Sequence, residues 1–114
     1  MRIDELPLGS LLLGIDTNKG YEVYVYIKTV DQINNVIDYY SLIDAGYQIG
    51  IHRVLIEKEQ WEKVYKEFRI ANEEELHTLL VKISTIHIEA YIENSELVVL
   101  LQSIIAMAPE LNKK

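Results

Sequence analysis

The stretch Tyr21–Val30, YEVYVYIKTV, alternates so regularly that it constrains the fold more than any other part of the chain. Tyr21, Val23, Val25 and Ile27 fall on one side of an extended strand. Glu22, Tyr24, Tyr26 and Lys28 fall on the other. A strand of this kind needs a sheet around it and a layer over its apolar side. Asp31 follows at once, placed to accept hydrogen bonds from the free amides that open a helix. Beyond it the apolar spacing lengthens from two to between three and four. The local order is therefore strand, then helix.

The rest of the chain extends this pattern. Leu6–Gly9 forms an irregular lead-in, and Ser10–Asp16 is a first strand. Thr17-Asn18-Lys19-Gly20 has the chemistry of a hairpin turn, which sets Leu11, Leu13 and Ile15 beside Val23, Val25 and Ile27. A helix is expected over about residues 32–45, with Ile33, Val36, Ile37, Tyr40 and Ile43 as its stripe and Gly46 as its left-handed stop. Residues 47–57 read as a third strand. Ile49 and Ile51 lie on one side of it and Val54 and Ile56 on the other, so either both faces are covered or a bulge lies near His52 and Arg53.

Residues 58–68 are helical in pattern, with Trp61, Val64, Tyr65 and Phe68 on one side. Asn72 opens another helix, and Glu75 three residues on completes a capping box. Residues 84–93 alternate again, with Ile86, Ile88, Ala90 and Ile92 inward and His87, Glu89, Tyr91 and Glu93 outward. Residues 97–107 are apolar nearly all round. Their length and the stop before Pro109 favour a helix, against the strand preference of their valines and isoleucines. Asn112–Lys114 reads as a frayed end. The expected architecture is a two-layer α+β sandwich, with an antiparallel or mixed sheet of about four strands and helices on one face, in the order β-β-α-β-α-α-β-α.

With 114 residues and 49% hydrophobic content, residues 1–114 form a single globular domain with enough apolar material for a core. There is no cysteine, which removes disulfides, thiolate metal sites and thiol catalysis. The formal charge of −7 argues against nucleic acid and anionic membrane as partners, because both require a basic footprint. The start MRIDELPLGS, with two acids among its first five residues, lacks the net basic start and apolar run of a secretory signal, and no segment reaches the length of a membrane span. A soluble, cytoplasmic protein is expected.

No catalytic motif is present. The glycines never form GxGxxG or a Walker loop, GxSxG is absent, and His52, His77 and His87 show neither HxxxH nor HExxH spacing. His87 and Glu89 share a strand side, but they are two ligands where catalytic zinc has three. His52 with Arg53 could bind an anion, or act as acid and base if a carboxylate such as Glu57 approached, but nothing local demands either. Catalytic residues, cofactor and metal are all read as none.

Tyrosine usage is the distinctive signal, with eight against one phenylalanine and one tryptophan. Tyr24 and Tyr26 sit on the polar side of one strand and Tyr91 on the polar side of another. With Glu22, His87 and Glu89 they would make a tyrosine-rich patch, and tyrosine suits interfaces because it joins contact area to a polar tip. The expected function is a small acidic, non-enzymatic protein-binding module of inhibitor, immunity or accessory type, with a partner that is basic. The alternative is a homodimeric regulatory or small-ligand-sensing domain.

Overall fold

In the computed structural model residues 8–108 are described; the lead-in positions Leu6 and Pro7 and the tail Asn112–Lys114 lie outside them. Along the described chain run β1 (Leu11–Ile15), β2 (Glu22–Asp31), β3 (Val36–Asp44), β4 (Gln48–Glu57), α1 (Lys58–Val64), β5 (Glu67–Ile70), α2 (Glu73–Thr85), β6 (His87–Ala90) and α3 (Asn94–Ala106). The fold is α+β on one mixed sheet, with six strands rather than four, ordered β5-β1-β2-β3-β4-β6. Neighbours pair antiparallel except β4 and β6, which run parallel.

The main correction concerns residues 32–45, where the expected helix is strand β3. Asp31 does cap, but it caps a turn. Its Oδ1 accepts from the amides of Ile33 and Asn34, each at 3.0 Å, and the Asn34 side chain donates to Oδ2 at 2.8 Å. Asn35 then takes a left-handed φ of 55°, which turns the chain back on itself. Because β3 lies between β2 and β4, its residues are buried on both faces from Ile37 to Leu42. Such a strand carries apolar residues without alternation, and here their spacing coincided with that of a helix. Gly46 is left-handed (φ 90°), but it closes the β3–β4 hairpin, with the Asp44 carboxylate accepting from its amide at 2.8 Å.

Two further expectations shift. The helix beginning at Lys58 ends at Val64, and Glu67–Ile70 instead forms edge strand β5 against β1. In the β1–β2 ladder Leu12 faces Val25, while Leu11 and Leu13 face Tyr26 and Tyr24. The leucines expected beside the valines therefore lie on the tyrosine side. The β3–β4 ladder is continuous, so no bulge lies near His52 and Arg53; Ile49 and Ile51 are buried under α2 and α3, and Val54 and Ile56 are half-buried on the reverse face. The break in the ladder lies in β2, between Ile27 and Thr29.

Two cores flank the sheet. On one face Leu12, Val23, Val25, Ile27, Ile37 and Tyr39 pack under Trp61 and Tyr65 of the α1 segment. The rings meet edge-on, with Trp61 5.1 Å from Tyr39 and 5.6 Å from Phe68. Gly14 makes room for this cluster, since a Cβ there would lie 3.0 Å from the Tyr65 ring. On the other face Leu11, Tyr40, Leu42, Ile49 and Ile51 pack under Leu79 and Leu80 of α2 and Leu100 and Ile104 of α3. The sandwich of sheet and helices on one face is thus built by α2 and α3, and α1 covers part of the reverse. Burying each of these large side chains contributes about 1.5–3 kcal/mol.

The helix starts follow their sequence signals. The Asn72 side chain accepts from the Glu75 amide at 2.8 Å, and the Glu75 carboxylate accepts from the Asn72 amide at 2.9 Å. The expected final helix is present as α3, beginning at Asn94 rather than at Leu97. Among the described residues no helix is long and apolar enough to cross a membrane.

Candidate recognition surface

Strand parity and sheet order decide where the six tyrosine-patch residues stand. β2 and β6 are separated by β3 and β4. Tyr24 and Tyr26 turn toward the α2–α3 side, where both are half-buried against that core. The Tyr24 hydroxyl reaches the carbonyl oxygen of Glu75 at 3.4 Å, and burial followed by the nearby Glu75, Asp44 and Glu22 charges raises its pKa. The Tyr26 ring lies 6.3 Å from that of Tyr40. Glu22 is exposed on the same strand.

His87, Glu89 and Tyr91 stand on the reverse side, at the other end of the sheet. The parallel register sets Gln48 beside His87 and Gly50 beside Glu89. The Tyr91 amide continues this ladder by donating to the carbonyl of Ile51 at 2.9 Å. The structure therefore brings His87, Glu89 and Tyr91 together, brings Glu22, Tyr24 and Tyr26 together, and keeps the two groups on opposite faces.

The second group gains a member that sequence spacing does not reveal. The His52 imidazole stacks on the Tyr91 ring with centroids 4.4 Å apart and planes 13° from parallel. His52 Nε2 also lies 3.9 Å from the position a Cβ on Gly50 would occupy, so the imidazole leans over a strand position that has no side chain. Beside it His87 Nε2 and Glu89 Oε2 are 3.1 Å apart. Tyr91 remains 61% exposed despite the stack. One face of its phenol ring rests on His52, and the side chain is otherwise largely accessible. The pairing depends on β4 and β6 being adjacent although the 29 residues between Glu57 and His87 carry α1, β5 and α2.

Charged side chains on the opposite face serve attachment. Arg53 holds Asp38 through two bonds, Nε to Oδ1 at 3.0 Å and Nη2 to Oδ2 at 2.8 Å, and reaches Glu96 of α3 at 3.5 Å. Hydrogen bonding to Asp38, then its charge, keeps the guanidinium protonated. Arg69 of β5 clasps Glu75 of α2 with two bonds of 2.6 Å. Those bonds, with the Asn72 amide, pull the Glu75 pKa down to about 2. Lys82 of α2 pairs with Asp44 at the end of β3.

Among the described residues no group of three or more histidines and carboxylates is placed to hold a metal ion. No protein-family model matches the chain, and neither a curated protein nor a solved structure matches it.

Proposed function

We propose that this chain is a small acidic, non-enzymatic module that binds a basic protein through the part of the sheet bearing His52, His87, Glu89 and Tyr91. The observation that carries this reading is the exposed phenol ring of Tyr91, held flat by the stacked His52 imidazole. A ring fixed on one face loses little freedom when its accessible surface is covered, which is what an aromatic anchor in an interface requires. An arginine laid over the ring would gain a cation–π contact, and Glu89, two residues earlier on the same side of the chain, offers a carboxylate to the same guanidinium. The net charge of −7 would speed the approach of such a partner. Glu22 stands on the other face, and Tyr24 and Tyr26 support α2 and the core, so these three are outside the proposed contact.

The test is affinity capture from the native host, with the wild-type chain and a Tyr91→Ala, Glu89→Gln double variant as parallel baits. The reading expects a basic protein held by the wild type and lost from the variant, with both baits equally folded. Equal recovery on both baits, or no protein enriched on the wild type, overturns it.

A further inference from the structure

We propose that a second copy of this chain docks on the outer side of α3, the two helices antiparallel and the two Gln102 side chains meeting on the twofold axis. Leu100 and Ile104 bury the inner side of this helix against the sheet. On the outer side Val98, Val99 and Ile105 are 44%, 62% and 42% exposed. With Gln102 and Ala106, which are also exposed, they fall within an arc of roughly 120° at the angular step of an α-helix. An aliphatic stripe facing water along several helical turns marks a surface that something covers.

Two features identify the occupant as the same chain. First, residues 97–108 carry no charge, in a protein whose formal charge is −7. A basic partner drawn by that charge finds no anion along this stripe. An identical stripe meets it without setting carboxylate against carboxylate. Second, the stripe is symmetric about Gln102. Aliphatic residues stand four and three positions before it (Val98, Val99) and three and four after it (Ile105, Ala106). An antiparallel copy related by a twofold axis places each half against the other half. It also sets one primary amide against another, and each amide supplies both a donor and an acceptor.

A helix of 13 residues is about 20 Å long, and a contact along it falls below the roughly 800 Å² per partner of a stable complex. A contact of that size falls among the weak, transient associations. It lies across the sheet from the His52–Tyr91 surface, so a dimer would present two such surfaces, and either proposal can fail without the other.

Sedimentation velocity from about 10 μM to about 1 mM, the range of a weak association, tests the dimer. The wild type should sediment faster as concentration rises. Gln102→Glu and Gln102→Lys, both at an exposed position, should each remain monomeric, and their equimolar mixture should associate again. Circular dichroism of each variant establishes that it is folded. A wild type monomeric throughout, single variants that associate like the wild type, or a mixture as monomeric as its components would each overturn the proposal.

Discussion

Tyr40, central in β3, donates its phenolic proton to Glu96 Oε2 at 2.8 Å and so ties the first turn of α3 to the sheet across 56 residues of sequence. Arg53 completes the join by holding Asp38 and reaching Glu96. A single hydrogen bond to a charged acceptor contributes about 1.5–3 kcal/mol, and partial exposure of Glu96 lowers this. Tyr40→Phe should therefore cost about 1 kcal/mol in urea unfolding at neutral pH.

The same pair sets an alkaline limit. Burial, then the hydrogen bond and charge of Glu96, push the Tyr40 pKa up from 10.0 to about 12. A folded pKa above the unfolded one means the contribution is complete below pH 10.0 and lost as pH rises toward about 12. Thermal unfolding of the wild type should fall across that window, and Tyr40→Phe should fall less.

Glu75 sets the corresponding acid limit. Its pKa, lowered from 4.5 to about 2 chiefly by Arg69, stabilises the fold above pH 4.5, and this stabilisation is lost as pH falls toward about 2. Solvent screening of this surface clasp reduces its worth to about 1 kcal/mol. Glu75→Gln should be less stable than the wild type by that amount near neutrality, and the gap should close on acidification, as read by chemical denaturation at several pH values.

Tyr26 and Tyr91 look alike in sequence, each on the polar side of an alternating strand, yet their substitutions should differ. Tyr26→Ala removes a ring packed against Tyr40 and the α2–α3 core, and should cost about 2 kcal/mol. Tyr91→Ala removes a largely exposed ring and should cost less than about 1 kcal/mol. Urea titration of the two variants checks the difference.

Trp61 is fully buried, and its indole Nε1 finds no hydrogen-bond partner among the described residues. Leaving that donor unsatisfied costs about 1–3 kcal/mol. Trp61→Phe loses ring volume but removes the donor, so it should destabilise by under about 2 kcal/mol, against about 3–5 kcal/mol for Trp61→Ala. Calorimetric unfolding of both variants decides.

The sequence is most legible where the two faces of an element differ in chemistry. β2 alternates because its aliphatic side fills one core while its tyrosines rest half-buried against the other, and α2 announces itself through Asn72 and Glu75. β3 carries a helical spacing because it lies between two strands and under two cores, and burial of both faces removes the alternation. Asp31 signalled a cap, and capping chemistry serves a reverse turn as well as a helix. In the recognition surface, the common side of His87, Glu89 and Tyr91 follows from parity alone. That His52 would stack on Tyr91, and that Tyr24 and Tyr26 would face away from them, depended on which strands become neighbours, and no local pattern encodes that.

Both borders of the sheet, β5 and β6, are only four residues long. An incoming strand would find roughly two outward-directed amides at either border, too few to anchor it. Backbone pairing with another chain is thereby blunted along β5 and β6, the two outermost strands.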